Sequence, residues 1–466
     1  MESSMQFAKD VQVEWIERHA KVLSNLLSCF EEAGVRYVIL KNDAGLPYVN
    51  NAKDVDIVIE PGKYRIAEKI IRKCYKDNDI KYYNINRFER LRCWYGVDID
   101  NRFAIHIDLL EGFLHKGFEM FPFEVLINNS HKNENGINVL NDTMSAVVLL
   151  LHSAICYHSI KIKYAKYIYE VYNTGKSSFE SILYNILGDS CTQELMQLIE
   201  KNEFKEIEKI GNKLSKASKF RLLLKRPLFS LYNLVDFLWE KTCRSVFNLE
   251  KYNKFISVHA PDGTGKSTFI KHIGDKLGFF NVCSAEAFVC LYHFRPCILP
   301  NLGAVGEMTG MMKQDTNFTV PHRAKPVGKM SSFLRMTYYW LDYVIGMPVI
   351  LRKNAQFDHV TIFDRYIYDF IVDPFRARIN LPLWVRSAFA KCVKQPQLIF
   401  VLSTDAETIY KRKAELEIDE IKRQLAEYEK LKTICDNVVV LDASKSPEEI
   451  ANDAIEHYIE RFFTKL

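Results

Sequence analysis

The chain has 466 residues, 48% of them hydrophobic and 26% charged, with a formal net charge of +5 and a pI near 8.4. That length exceeds one comfortable core and predicts two or three domains, and the composition excludes a fibrous, low-complexity or disordered chain. The mild basicity is too weak to argue for a nucleic-acid partner, although it suits anionic small substrates or an anionic membrane surface.

The first stretch, MESSMQFAKDVQVEWIERHA, carries charges throughout and no apolar core, so it does not read as a signal peptide. No apolar run approaches the ~18 residues that a membrane span needs. The 11 cysteines are odd in number and include no C-x-x-C pair, which reads as free thiols in a reducing compartment rather than a zinc site. The expectation is a cytoplasmic protein.

From Met5 to Gly34 apolar residues recur at helical spacing, through Val13, Ile16, Val22, Leu23, Leu26, Leu27 and Phe30. Arg36 to Lys41 reads as a strand, Asn42 to Lys53 as a polar loop, and Asp54 to Glu60 as a second strand broken by Pro61-Gly62. A helix to about Tyr75 follows, then three strand-like runs, IKYYNI, RLRCWYGV and FAIHIDLL. The order α-β-β-α-β-β-β predicts an α+β domain over residues 1–140. Asp54 and Asp56 fall on one face of their strand because side chains alternate with period two, and Asp108 ends a later strand. Three carboxylates from neighbouring strands would form a site for two Mg²⁺ ions in nucleotidyl transfer.

Residues 141–248 read as a helical region and linker. His152 and His158 are expected to pack in its core rather than bind metal. A basic run, Lys213, Lys216, Lys219, Arg221, Lys225 and Arg226, is interleaved with apolar residues and followed by LFSLYNLVDFLW. Two readings of 213–226 stay open: a peripheral membrane contact, or a solvated linker helix.

Beyond residue 249 the pattern becomes α/β. Strands are expected at 255–260, 359–364, 397–403 and 437–442, with helices at 266–277, 331–353, 383–394, 405–434 and 447–463. Parallel strands with crossover helices should result. The stretch FISVHAPDGTGKST, Phe255 to Thr268, is a strand, a turn of small residues and a helix start, which is the pattern of a phosphate cradle. Gly263 and Gly265 free the backbone N–H groups to turn inward, Lys266 would reach the β- and γ-phosphates, and Ser267 would ligate Mg²⁺. Ala260 stands where the G-x-x-x-x-G-K-[ST] pattern has its first glycine. Asp364-Arg365-Tyr366 follows an apolar run, so a carboxylate and a guanidinium stand at a strand's C-terminal end, where ligands bind in open parallel sheets.

APDGTGKST, with DRY about a hundred residues later, resembles the thymidylate kinase family of P-loop kinases over residues 250–466. The resemblance implies that Gly263, Thr264, Gly265, Lys266, Ser267 and Thr268 hold ATP phosphates, and that Ser267 and Asp364 serve Mg²⁺. It further implies that Asp262 faces the acceptor hydroxyl and that Arg365 contacts the transferring or acceptor phosphate. Lys411 to Leu431 would be a lid closing Arg412 and Arg423 over the phosphates, and Asp442 would flank the adenine. The family's Arg-Glu-Pro-Gly-Gly segment is replaced by LYHFRPCILP, which keeps Arg295, and DRYIYDFIVDPFRAR adds Asp369, Asp373, Arg376 and Arg378. These departures resemble the divergent thymidylate-kinase-like proteins of bacterial surface-polysaccharide gene clusters. They imply a carbohydrate hydroxyl or an unusual nucleotide as acceptor, bound by Arg295, Asp373, Arg376 and Arg378. His293 is expected to be a structural hydrogen-bonder, and Gly303 to Lys329 a flap beside the acceptor.

Residues 20–175 resemble the minimal nucleotidyltransferase fold, with Asp54, Asp56 and Asp108 as metal ligands and Lys41-Asn42-Asp43 replacing the small-residue turn. LLLHSAICYHS resembles that family's helical companion. The combined expectation is an α/β chain in which an α+β nucleotidyltransferase-like domain and helices precede a P-loop kinase that uses ATP and Mg²⁺ (249–466), with a homodimer as one possible assembly. A nucleoside monophosphate kinase, an NTP-using defence or toxin-like nucleotidyltransferase, and a non-catalytic N-terminal platform remain the alternatives.

Overall fold

The computed structural model describes residues 14–41, 45–50, 52–86, 89–98, 102–247, 253–282, 285–300 and 328–463. The turn residues Asn42 and Asp43, and all but the last two residues of the flap expected over 303–329, lie outside them. The chain divides into two compact units, one ending at Thr242 and the other starting at Cys243.

The first unit is built on a seven-stranded sheet. Its strands are β1 (Tyr37–Ile39), β2 (Val55–Ile59), β3 (Lys81–Asn86), β4 (Leu91–Asp98), β5 (Phe103–Glu111), β8 (Ser130–Lys132) and β9 (Asn138–Leu140). A separate hairpin joins β6 (Phe113–His115) to β7 (Phe118–Phe121). The sheet order is β3-β4-β5-β2-β1-β9-β8, with β2 parallel to β5 and antiparallel to β1. Period-two alternation splits these strands between two cores. Ile57, Trp94, Ile105 and Ile107 face helices Glu17–Glu32 and Tyr64–Asp77, whereas Val38, Val58 and Leu110 join the core of helix Asp142–His152. The short strands β6 to β9 and the helix Phe123–Asn128 add to the expected order. With three or four residues apiece, these strands are too short to display an alternating pattern.

Six longer helices, from Asp142–His152 to Pro227–Thr242, belong to the same compact unit as the sheet. Helix Phe204–Lys225 passes so close to the π-helical turn Ser153–Tyr157 that a Cβ on Gly211 would lie 2.0 Å from the Ala154 carbonyl oxygen. His152 packs edge-on against Phe113 at 5.2 Å, as expected of a core histidine. His158 does not, because it caps that turn in a left-handed conformation (φ 50°) and is exposed.

The second unit carries five parallel strands: β10 (Lys254–His259), β11 (Val289–His293), β12 (Val360–Asp364), β13 (Leu398–Ser403) and β14 (Val438–Asp442). Their order, β11-β12-β10-β13-β14, puts β10 in the centre. Its neighbours read as continuous apolar runs because both sheet faces are covered, by helices including Lys266–Phe280, Lys329–Ala355 and Pro447–Phe462. β11 was not among the expected strands, although its VCLYH run is aromatic and β-branched enough to have shown it. The helix expected over 405–434 is interrupted: Ala406–Arg412 ends where Lys413 turns extended (φ −157°), and Ile418–Glu429 begins anew. The Lys413 Cβ stands 3.0 Å from where a Cβ on Gly263 would be, so the break lies against the glycine turn. No helix among the described residues is long and apolar enough to cross a membrane.

Candidate functional site

The chain leaves β10 for β11 on one edge, returns through β12 beside β10, and then crosses to β13 on the other side. The C-terminal ends of β10, β12 and β13 therefore border a topological switch point, where open α/β sheets bind ligands. The loop after β10 fills that place. Gly263 and Gly265 hold φ of 88° and 97°, a region L side chains rarely adopt, and a Cβ on Gly265 would meet open space. Ala260 is fully buried with an ordinary φ, so the loop tolerates the missing first glycine. Thr264 closes the turn by donating to the Pro261 carbonyl at 2.9 Å. Gly265 then opens the 15-residue helix Lys266–Phe280, with Ser267 and Thr268 exposed on its first turn.

Lys266 is buried at the helix start and ion-pairs with Asp364 at the end of β12. Burial pulls its ammonium below the ordinary value, with Asp364 opposing the fall. Burial would raise the Asp364 carboxyl, but hydrogen bonds from His293 (3.2 Å) and Lys266 outweigh it and hold it well below the usual carboxylate range. His293 stands opposite Asp364 in the β11–β12 register and is a hydrogen-bonder here, as expected.

Arg365 organises the rest. Its backbone takes φ 69°, and its guanidinium, 2% exposed, donates to Asp262 and Asp369, each at 2.5 Å. Asp369 is also buried and bonds His259 Nδ1 at 3.1 Å and Tyr428 Oη at 3.2 Å, while His259 Nε2 reaches Ser257 Oγ at 3.0 Å. Arg376 pairs with Asp262 from the other side and with Asp373 at 3.4 Å. Against the burial that raises it, these arginines keep the Asp262 carboxyl below its ordinary value. Asp262 is thus an anion held at the loop by two guanidinium groups.

The remaining expected residues divide. Arg412 approaches the loop, with Nη1 3.5 Å from the Thr264 carbonyl. Arg423 instead donates to the Val372 carbonyl at 2.9 Å and to Glu420. Asp442 is exposed at the end of β14 and accepts the Ser444 amide at 2.9 Å. Arg378 is half-buried with φ 58°. Arg295 is not open to an acceptor, as it was expected to be: it is buried, ion-paired to Asp342 at 3.0 Å and bonded to the Leu299 carbonyl, bracing that segment onto helix Lys329–Ala355.

In the first unit the β2–β5 register sets Asp56 directly beside Asp108, and the carboxylates of Asp54, Asp56 and Asp108 lie within 4.8 Å of one another. Burial, with Asp54 and Asp108 nearby, pushes the Asp56 carboxyl up to about 7 despite Lys41, whose Nζ stands 3.1 Å away. His106 pairs with Asp108 at 2.8 Å and stacks on Tyr95 at 4.2 Å. The expected trio is thus assembled. His106 in this unit, and His259 and Tyr428 in the other, are site residues that motif reading missed, and Lys41 was read only as part of the turn. His106 had a signal, since it lies on β5 two residues before Asp108, and Lys41 stands just past the end of β1, the strand paired with β2. Tyr428 had none.

No protein-family model matches the chain, and no curated protein matches it.

Proposed function

We propose that the second unit is a P-loop phosphotransferase that moves a phosphoryl group from ATP to a hydroxyl acceptor, a carbohydrate in bacterial surface-polysaccharide synthesis. The observation that carries this reading is the convergence of Lys266, Asp364, Asp262, Arg365 and Arg376 around a left-handed glycine turn at the sheet's switch point. The residues fit a triphosphate and its cation. The turn leaves open space at Gly265, the helix start offers N–H groups, and the anionic Asp364 and exposed Ser267 supply oxygen donors.

Mg²⁺, when bound by Ser267 and Asp364, neutralises charge on the phosphate oxygens. Lys266 would exchange its Asp364 contact for phosphate, and Arg412 would approach from the segment beside the turn. Asp262, held ionised by Arg365 and Arg376, is a weak base but a well-positioned acceptor for the substrate hydroxyl's hydrogen bond. A loose phosphoryl-transfer transition state asks for positioning more than for proton abstraction. Arg295, expected among the acceptor contacts, is buried against Asp342, which leaves Asp373, Arg376 and Arg378 as the acceptor-side residues of the expected set. The first unit, by its three carboxylates, would act as a metal-dependent nucleotidyltransferase.

The test is ATP turnover and phosphate transfer by the full chain against sugars, sugar phosphates, lipid-linked glycan mimics and nucleoside monophosphates, with Lys266→Ala as control. Transfer to a sugar, lost in Lys266→Ala, is expected. Strong stimulation by one monophosphate would overturn the carbohydrate assignment, and turnover unaffected by Lys266→Ala would overturn the phosphotransferase itself.

A further inference from the structure

A water-soluble helix ordinarily buries its apolar stripe and exposes its polar one. Helix Pro227–Thr242 does the reverse. Its buried residues are Ser230 and Asn233, 4% and 2% exposed. Asn233 Oδ1 accepts from Arg90 Nη2 at 2.6 Å, and Ser230 Oγ reaches the Leu222 carbonyl at 3.5 Å. The backbone at Leu234 presses on the β6–β7 hairpin so closely that a Cβ on Gly117 would lie 2.7 Å from the Leu234 Cα. The Arg90 guanidinium also lies 5.5 Å over the Phe229 and Tyr232 rings, and Phe229, Leu234 and Phe237 are half-buried, so the helix is fixed to its unit by these contacts together with the polar ones and the close approach at Gly117.

The face left outward is apolar. Leu228, Leu231, Tyr232, Val235, Leu238 and Trp239 are each at least half exposed, from 50% for Leu238 to 82% for Leu228. At 3.6 residues per turn these six fall within an arc of about 120°. The acidic residues of the helix, Asp236 and Glu240, lie off that arc and are half-buried. The stripe resumes on the preceding helix with Phe220, Leu223 and Leu224, also exposed. Exposed lysines flank it, Lys216 one turn before Phe220 and Lys225 at the junction of the two helices, where its Nζ donates to the Asn185 carbonyl; Arg226 beside it pairs with the buried Glu119 at 3.1 Å. Scattered exposed apolar residues need no explanation, but a continuous stripe of this kind marks a binding surface.

We propose that this stripe lies in the headgroup layer of an anionic lipid bilayer, making the protein peripheral to a membrane. Charge complementarity selects this occupant. A stripe of Leu, Val, Tyr and Trp bordered by Lys216 and Lys225, with its acids turned aside, matches a surface that is apolar below and negative above. The helix has 16 residues and does not qualify as a membrane span, so it would lie in the plane of the interface. Trp239 and Tyr232 are residue types that favour that depth. The inference rests on the helix alone and not on the catalytic reading.

The experiment is flotation of the full chain with phosphatidylcholine vesicles, with and without phosphatidylglycerol, at low and high salt. Binding is expected only where phosphatidylglycerol is present, and it should weaken as salt rises. Trp239 emission should shift to the blue on binding, a change absent in Trp239→Phe. Leu231→Glu and Val235→Glu, each at an already exposed position, should lower binding at least tenfold while leaving ATP turnover unchanged. Lys216→Ala and Lys225→Ala should weaken it roughly fivefold each. Failure of the unaltered protein to float with anionic vesicles overturns the proposal whatever the variants do. So does a stable dimer that Leu231→Glu dissociates in the absence of lipid, which would assign the stripe to a second copy of the chain.

Discussion

Replacing Asp369 by alanine tests whether the buried charge network frames the phosphate site. Asp369 is 1% exposed and bonds Arg365, His259 and Tyr428 at 2.5, 3.1 and 3.2 Å. Its loss strands the Arg365 guanidinium, itself 2% exposed, with Asp262 as its remaining carboxylate among those described. Breaking a buried pair from one side costs about 3–5 kcal/mol, and the surviving Asp262 contact places the expected loss at the lower end, about 3 kcal/mol. That corresponds to roughly a hundredfold in an equilibrium constant. Native-state hydrogen exchange on peptides spanning residues 360–372 reads it directly, as amides exchanging roughly a hundredfold faster. Asp369→Asn, which keeps a hydrogen-bond acceptor, should fall between. An acceleration below about fivefold would refute the reasoning, because Arg365 would then be held without its nearest buried anion.

Gly211→Ala should cost about 1–3 kcal/mol, seen as a lower midpoint in thermal melting, since its Cβ would land 2.0 Å from a backbone oxygen that cannot swing aside. Burial pushes the Glu89 carboxyl up from 4.5 to about 7 despite the Gly117 amide it accepts. The folded state therefore holds that proton more tightly than the unfolded one, so its contribution is full below 4.5 and is lost as pH rises through about 7. Urea unfolding of the first unit should show this slope, and Glu89→Gln should flatten it. Asp56→Asn should abolish Mn²⁺ binding by the first unit in titration calorimetry yet leave ATP turnover intact; retained binding would mean that the acidic trio is not the cation site.

Local chemistry wrote the strand–turn–helix at Phe255 to Thr268 into consecutive residues. Gly263 and Gly265 do not need distant partners to take positive φ, and Lys266 follows them directly. The acidic trio was legible for a similar reason: Asp54 immediately precedes β2 and Asp56 lies on it two residues on, so the partner strand that sets Asp108 beside Asp56 suffices to complete it. What the sequence determined by itself is therefore whatever a single turn or a single strand's period can specify. Tertiary structure decided the rest. It turned Arg295 inward because Asp342, 47 positions later, lies on a helix packed against it. It brought Tyr428 and His259 to Asp369 from a helix and a strand far apart in the chain. It also faced the apolar side of Pro227–Thr242 outward, because Asn233 found Arg90 across 143 positions and Gly117 admitted the helix backbone. A buried charge goes where its counter-charge is, and no local pattern carries the position of a partner that the chain supplies a hundred residues away.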